Sequence, residues 1–193
     1  METPIKNPNH FDYIIIGGGV AGLHIAMQMN NDSFFSNKSI AIFDKAIKNT
    51  NDKTFCFWEK GIGKWESCVT NSWKKTFFKD TEHNLEINLN PYTYKQIKSI
   101  DFYNYCKKNL KDNSSFSFFT DEIATIEELN TSVTIYTSSN KKYSCEYAFD
   151  SRLGVSTETI KKKATYISQS FKGWVIKTTT PIFDSNILSL IHI

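Results

Sequence analysis

The pattern of apolar and polar positions divides the start of the chain into a strand, a turn, a helix and a second strand. Residues 12–16 form a short isoleucine-rich run, typical of a strand buried on both faces, and a glycine-rich turn follows at 17–22. Residues 20–30 have helical periodicity and lack proline, and 39–44 form a second apolar run. This order predicts a right-handed β-α-β unit.

After Lys45 the pattern changes to a polar stretch at 48–53, predicted as a loop, and an aromatic-rich stretch at 55–58. A second helix is predicted at 100–110, with Ile100, Tyr103 and Leu110 on or near one face. Short strands are predicted at 74–79, 84–89, 116–119, 122–127, 132–137, 143–149, 165–170 and 173–178. The pair at 132–137 and 143–149, joined by a short polar segment, predicts a hairpin.

The glycine turn, Gly17-Gly18-Gly19-Val20-Ala21-Gly22, has the G-x-G-x-x-G spacing. The first glycine permits a tight turn, the third lets a pyrophosphate approach the backbone, and the last lets helix and strand pack closely. The N-terminus of the following helix offers free N–H groups and a positive dipole end to phosphates.

An acid closes the second strand. Asp44 follows Gly22 at the distance of about 20 residues expected for the acid that binds the adenosine ribose. An acid at this position also disfavours a 2′-phosphate. The sequence therefore predicts a dinucleotide site, with a plain glycine turn beside a surface aspartate as the alternative.

The rest of the chain favours FAD over NAD as the dinucleotide. An NAD domain normally continues with further β-α units, whereas this chain changes to aromatic stretches and short antiparallel strands. We therefore predict an α/β fold in which a glutathione-reductase-type, FAD-binding Rossmann-like βαβ domain is interrupted by part of an antiparallel β substrate domain.

Four segments are predicted from this interruption. The FAD-binding β-α-β unit and its following loop take residues 1–73, and the substrate domain starts over 74–99. The chain returns to the FAD-binding domain, with a helix and a hairpin, over 100–164. A second substrate-domain segment, truncated, takes 165–193.

Charge and cysteine usage narrow the function classes. A net charge of +3 and a single arginine, Arg152, argue against a nucleic-acid partner. The four cysteines form no C-x-x-C pair, so no metal site is predicted, and reduced thiols indicate a cytoplasmic protein. No signal peptide or membrane-spanning stretch is found, while peripheral contact with the inner face of the cell membrane stays open.

Five stretches resemble the lycopene cyclase family, close to bacterial FAD-dependent lycopene β-cyclases. They lie at 12–19, 51–59 (NDKTFCFWE), 100–103, 149–152 and 169–174 (QSFKGW). The second and last are the more specific, because many flavoproteins share the glycine turn. Four positions depart from the family's usual residues: Lys53 replaces Arg, Phe55 replaces Trp, Lys98-Ser99 replaces Arg-Gly, and Ser170 replaces His.

The resemblance implies an isomerase of carotenoid biosynthesis that cyclises the ends of lycopene into β-rings without net electron transfer. The cofactor it implies is reduced FAD, with NADPH as a candidate reductant. A polyene substrate dissolved in the bilayer implies a membrane-associated enzyme. The predicted cofactor-binding residues are Gly17, Gly18, Gly19, Val20, Ala21, Gly22, Asp44, Lys45 and Lys53.

No catalytic residue is assigned, because the family's acidic motif is expected beyond residue 193. Glu59, Asp101 and Asp150 are acids beside family-like motifs, and Phe57, Trp58 and Trp174 are aromatic candidates for contact with a carbocation. The tail does not resemble the family's continuation, which predicts a truncated chain. Two alternatives stay open: another FAD-dependent oxidoreductase or monooxygenase of the same superfamily, and an inactive, degenerate fragment.

Overall fold

The computed structural model describes residues 8–79, 81–152, 158, 161, 164–167, 178–180, 182 and 187–191. Its helices and strands in chain order are β1 (His10–Ile16), α1 (Val20–Asn31), β2 (Ile40–Asp44), β3 (Thr54–Lys60), β4 (Val69–Trp73), β5 (Lys75–Lys79), β6 (Asn84–Asn88), β7 (Tyr92–Lys98), α2 (Ser99–Lys111), β8 (Phe116–Thr120), β9 (Ile123–Leu129), β10 (Ser132–Thr137), β11 (Lys142–Asp150) and β12 (Ile187–Ile191). They form two compact units, one made by the chain up to Lys53 with Ser99–Arg152, the other containing Thr54–Lys98 and β12.

The first unit is built on a six-stranded sheet of order β8-β2-β1-β11-β10-β9. β8, β2, β1 and β11 are parallel, and the β9–β10–β11 part is antiparallel. Ile14 of β1 pairs with Ala41 of β2 on one side and with Ala148 of β11 on the other. β1 is therefore a central strand, and the turn that follows it lies at the carboxyl edge of the parallel strands.

Alternating residues of the central strands fill the two faces of this sheet. Ile14, Ile16 and Phe43 belong to one buried cluster, in which the Phe43 and Phe119 rings stack with centroids 4.6 Å apart. Ile15 instead faces α1, since its Cγ2 lies 3.0 Å from the position of a Cβ on Gly22. Both helices contribute buried residues, and they contact each other.

The predicted fold class is confirmed. β1, α1 and β2 form the predicted β-α-β unit, α2 covers the predicted second helix, and β10 and β11 form the predicted hairpin. Of the predicted strand pair at 165–170 and 173–178, only 165–167 and 178 are among the described residues, and these are not in a strand.

The second unit contains two three-stranded sheets. One is antiparallel, with order β3-β7-β4, and the other has order β12-β5-β6, with β12 parallel to β5. In the first sheet Trp58 pairs with Tyr94 and Phe57 pairs with Lys95, so these two pairs lie on opposite faces. Trp58 is exposed, whereas Lys95 is buried.

The predicted boundary after residue 73 is corrected by this pairing. β3 and β4 both pair with β7, so residues 54–73 belong with the second unit and the first boundary lies between Lys53 and Thr54. The return to the first unit lies between Lys98 and Ser99, one residue before the predicted position. β3, β4, β7 and β12 were not expected from the sequence pattern.

Candidate nucleotide-binding site

The glycine turn directly follows β1, and contacts from the end of β11 hold its conformation. Gly17 has a φ of +103°, which favours glycine, and its N–H donates to the Phe43 carbonyl at 2.7 Å. The N–H and hydroxyl of Ser151 both donate to the Ile16 carbonyl, at 3.0 and 2.8 Å. A Cβ on Gly17 would overlap the Ser151 hydroxyl oxygen. Ser151 therefore fixes the start of the turn.

Two glycines of the turn have opposite surroundings. A Cβ on Gly22 would overlap the Gly17 carbonyl oxygen, whereas a Cβ on Gly19 would meet no atom of the described residues within 4 Å. Gly19 is also the N-cap of α1, with no capping side chain and no acid in the first turn. The first helical N–H groups have no intrahelical partner and stay available to an anion. The space over Gly19 thus fits a phosphate group.

Asp44 is held in place beside this turn. One carboxylate oxygen accepts a hydrogen bond from the Gly18 N–H at 2.8 Å, and the other accepts one from the Ala46 N–H at 2.9 Å. The Lys48 ammonium lies 3.8 Å from the carboxylate, whose side chain is 17% exposed. Each carboxylate oxygen can accept two hydrogen bonds and accepts one of these, so lone pairs remain for a ribose hydroxyl.

Lys48 also connects Asp44 with the start of α2. Its ammonium is 3.8 Å from the Asp52 carboxylate, which accepts hydrogen bonds from Ser99 at 2.9 Å and Tyr103 at 3.1 Å. The Ser99 hydroxyl, followed by Tyr103 and Lys48, lowers the pKa of Asp52 despite partial burial. Burial, together with the Asp52 carboxylate, raises the pKa of Tyr103 to about 12.

A recess of about 270 Å³ adjoins Asp44 at the carboxyl edge of the sheet. Its lining residues are Ile16, Gly17, Phe43, Asp44, Lys45, Lys48, Asp121, Glu122, Ile123 and Arg152. Arg152 binds Asp150 through two N–H groups, each at 2.9 Å, and donates to the Ile123 carbonyl at 2.5 Å. The guanidinium therefore ties the end of β11 to the start of β9.

The structure brings together most of the predicted cofactor-binding residues. Gly17, Gly18, Gly19, Gly22 and Asp44 meet at one edge of the sheet. Val20 and Ala21 are exposed at the start of α1, and Lys45 is exposed at the rim of the recess.

Lys53 is placed differently from the other predicted residues. Its N–H donates to the Ser99 hydroxyl and its carbonyl accepts from the Ser99 N–H, both at 3.0 Å. Within the described part of the chain its ammonium has no hydrogen bond or ion pair. A role for the Lys53 side chain in cofactor binding stays a prediction.

Ser151, Arg152 and Lys48 were missed as site residues. Ser151 and Arg152 lie in the stretch 149–152 that resembles the family, and Lys48 lies four residues after Asp44, a spacing that could have indicated an ion pair. Across the described ranges no group of three or more His, Cys, Asp or Glu side chains could hold a metal. None of the helices described is long and apolar enough to cross a membrane.

The acids proposed beside family-like motifs are engaged. The Arg152 side chain lowers the pKa of Asp150, so this carboxyl is a poor proton donor near neutral pH. The Glu59 carboxylate accepts a hydrogen bond from the Lys95 ammonium at 2.8 Å. Trp174 lies outside the described residues.

Comparison with known proteins decides the family. The sequence model of the lycopene cyclase proteins matches residues 12–192. The chain belongs to the lycopene cyclase family. A search of curated protein sequences finds no significant match.

Solved structures share the fold at low sequence identity. p-Nitrophenol 4-monooxygenase PnpA from Pseudomonas putida DLL-E4 is 10% identical with a TM-score of 0.62, over 84% of this chain and 46% of that one. Halogenase PltM, in complex with phloroglucinol and FAD, is 12% identical with a TM-score of 0.56, over 79% and 36%. Tetracycline destructase Tet(55) is 15% identical with a TM-score of 0.52, over 78% and 42%. The chain thus spans less than half the length of each of these three proteins.

Proposed function

We propose that the chain binds FAD through its ADP half at the carboxyl edge of the parallel sheet. The observation that carries the proposal is the open space over Gly19 at the N-terminus of α1, beside a fixed Asp44. The pyrophosphate occupies the space over Gly19, where the N–H groups of Val20 and Ala21 donate to it.

The adenosine half lies beyond the pyrophosphate in this proposal. Asp44 accepts hydrogen bonds from the ribose hydroxyls with the lone pairs that Gly18 and Ala46 leave free. The adenine ring enters the recess, where Lys45 and Ile123 are lining residues. The PltM structure in complex with FAD, which shares this fold, supports the choice of FAD.

We further propose that the activity is the β-cyclisation of lycopene, an isomerisation that begins with protonation of an end double bond. Membership of the lycopene cyclase family supports this proposal. Bound FAD in its reduced form, with NADPH or another reductant as the electron source, would supply an electron-rich ring that stabilises positive charge. Because its substrate dissolves in the bilayer, the protein would act at the membrane surface.

The second unit carries aromatic rings that are candidates for cation–π contact with a carbocation. The Trp58 ring lies 4.6 Å from the Tyr94 ring, and the Trp73 ring lies 6.0 Å from Tyr94, on one face of the β3–β7–β4 sheet. Phe57 belongs to the opposite face, so Trp58 is the better candidate of the two. Asp150 is a poor candidate for the proton donor, because the hydrogen-bonded Arg152 lowers the pKa of its carboxyl.

The test of FAD binding compares the wild type with Gly19→Val and Gly19→Ala. Gly19 has extended backbone (φ −84°, ψ −167°) and open surroundings, so valine fits the fold while filling the space for the pyrophosphate. We expect FAD affinity to fall by at least about 100-fold for valine and less for alanine, with the free energy of unfolding lowered by no more than about 1 kcal/mol through loss of the glycine N-cap. Equal FAD affinity in all three proteins would refute the site.

The second candidate function is an FAD-dependent monooxygenase or other oxidoreductase, favoured by the fold shared with PnpA. Lycopene turnover with reduced flavin and no stoichiometric NADPH consumption supports the cyclase. NADPH consumption coupled to a substrate supports the oxidoreductase. Absence of flavin from the purified protein, together with failure to take up added FAD, supports an inactive fragment.

A further inference from the structure

A second cleft of the first unit, of about 400 Å³, lies between α2 and the edge strand β8. We call it the lysine cleft; its lining residues include Leu23, Ile42, Ile47, Lys108, Lys111 and Phe118. It shares only Asp44 and Lys48 with the recess beside the glycine turn. Its volume lies in the range of about 300–1,000 Å³ typical of small-molecule sites.

The floor of the lysine cleft is apolar and partly open to solvent. Leu23 and Ile42 are buried, whereas Phe118 is 45% exposed and Ile47 is 65% exposed. Among the strands that the structure describes, β8 has a sheet neighbour on one side only, so this floor lies at the edge of the described sheet. Large apolar side chains left in water at the wall of a cleft favour an apolar occupant.

The rim of the lysine cleft is basic, and its lysines are not equivalent. Lys48 has two carboxylate neighbours, Asp44 and Asp52, and the Lys107 ammonium donates to the Lys48 carbonyl at 2.7 Å. Lys108 and Lys111 are exposed, lie three residues apart on α2, and have no ion-pair partner among the described residues. These two ammonium groups are available to an anion.

The register of β8 gives the cleft a direction. Phe116 pairs with Ile40, and Thr120 pairs with Asp44 at the carboxyl edge of the sheet. Lys111 ends α2, and a short segment then leads to Phe116, so the free lysines lie toward the amino end of β8. The two free lysines therefore lie toward the amino end of β8, and the exposed Ile47 lies toward its carboxyl end, beside the paired Lys48 and Asp44.

We propose that the lysine cleft binds one long-chain carboxylate. Its head group accepts hydrogen bonds from Lys108 and Lys111, and its hydrocarbon chain lies along Phe116 and Phe118 toward Ile47. A nucleotide fits this cleft less well, because the apolar floor offers a base few polar partners. The proposal does not depend on FAD binding, since the free lysines and the phenylalanines lie outside the recess.

The test uses cis-parinaric acid, a fluorescent long-chain polyene carboxylate, and its uncharged methyl ester, with the full chain. Fluorescence titration measures both affinities for the wild type, for Lys108→Gln/Lys111→Gln and for Phe118→Ser. The matched control, Lys60→Gln/Lys74→Gln, removes the same charge from exposed lysines outside the cleft. Circular dichroism checks that each variant is folded.

We expect the acid to bind about tenfold more tightly than the ester, and Lys108→Gln/Lys111→Gln to remove that difference while the control keeps it. Phe118→Ser should weaken both ligands. Equal binding of acid and ester, or the same acid affinity in both double variants, would overturn the proposal. Displacement of the probe by ADP would also overturn the proposal, because the cleft would then be part of the nucleotide site. Binding of the protein to anionic phospholipid vesicles, without binding of the free acid, would overturn it as well.

Discussion

The two units of the molecule place charged groups in opposite parts of their sheets. In the parallel strands of the first unit, the central residues Ile14, Ile15 and Ala41 are apolar and fully buried. The charged residues lie near strand ends, as Asp12 and Asp44 do, or are exposed, as Glu146 is. In the β3–β7–β4 sheet of the second unit, Lys95 lies in the middle strand and is 3% exposed.

Strand surroundings explain the difference. A parallel strand covered on both faces has no place for a charge except at its ends, where hydrogen bonds and water are available. One face of the antiparallel β3–β7–β4 sheet carries the exposed Trp58. The other face holds the buried Lys95, whose ammonium group must be satisfied by nearby acceptors. Lys95 donates to Glu59 at 2.8 Å, Glu66 at 2.5 Å and the Gly61 carbonyl at 2.9 Å, so all three of its N–H groups are satisfied.

Removing the Lys95 charge from the β3–β7–β4 sheet should have the largest effect on stability. Lys95→Met leaves Glu59 and Glu66 facing each other without a cation, and we expect a loss of about 3 kcal/mol in the free energy of unfolding. Because the Glu66 side chain is 43% exposed, water screens part of this repulsion, and the expected loss lies at the low end for a broken buried ion pair. The control is Lys98→Met, an exposed lysine on the same strand.

Urea denaturation monitored by tryptophan fluorescence measures this loss, because the described tryptophans, Trp58, Trp65 and Trp73, lie in the second unit. Equal midpoints for Lys95→Met and Lys98→Met would show that the buried charge does not stabilise this sheet.

The first unit should be sensitive to acid at Asp12, near the start of β1. Asp12 is partly buried, which raises its pKa, but the N–H and hydroxyl of Ser39, each donating at 2.7 Å, and the Lys38 ammonium lower that pKa from 3.8 to about 2. A lowered pKa stabilises the fold above pH 4, and the stabilisation is lost as the pH falls toward 2. The shift corresponds to about 2 kcal/mol.

We therefore expect Asp12→Asn to be less stable than the wild type at pH 6 and to approach it in stability as the pH falls from 4 to 2. Thermal unfolding at several pH values measures the difference. Asp112→Asn, at an exposed position after α2, serves as the control. A gap between wild type and Asp12→Asn that stays constant with pH would contradict the assigned role of the carboxylate.

The smallest expected effect concerns the start of α2. Tyr103→Phe removes the hydroxyl that donates to Asp52 at 3.1 Å, and we expect a loss of about 1 kcal/mol near neutral pH. The pKa of Tyr103, about 12 in the folded chain against 10.0 for an ordinary tyrosine, means that the unfolded chain ionises first. Wild-type stability should therefore fall relative to Tyr103→Phe as the pH rises from 10 to 12.

Denaturant midpoints at pH 7, 10 and 12 test this expectation. Tyr136→Phe is the control, since its hydroxyl donates to Glu127 at an exposed position and should contribute less than about 0.5 kcal/mol. Parallel curves for the wild type and Tyr103→Phe across this range would remove Tyr103 from the account of the helix start.

The elements around the glycine turn could be predicted because their signals are local. The apolar run before Gly17, the helical period after Gly19 and Asp44 at the end of the next run each occupy a few neighbouring residues. The pattern therefore identified β1, α1, β2 and the position of the acid without knowledge of the rest of the chain.

The strands β3 and β7 could not be predicted in the same way. Phe55–Trp58 are four consecutive apolar or aromatic residues, which hides the alternation, and Lys95 adds a charge to the buried face of β7. The partners that satisfy Lys95 come from 36 and 29 residues earlier in the chain. The bracing of the turn by Ser151 is still more distant, 135 residues from Ile16, and no local pattern contains it.

That distance sets an order on the assembly of the nucleotide site during synthesis. β1, α1 and β2 leave the ribosome early, but the carbonyl of Ile16 gains its two donors only after Ser151 has been made. Pairings so far apart in sequence form slowly, because a long loop must close before they stabilise anything. The glycine turn is therefore among the first parts of the chain to be translated and among the last to reach its final geometry.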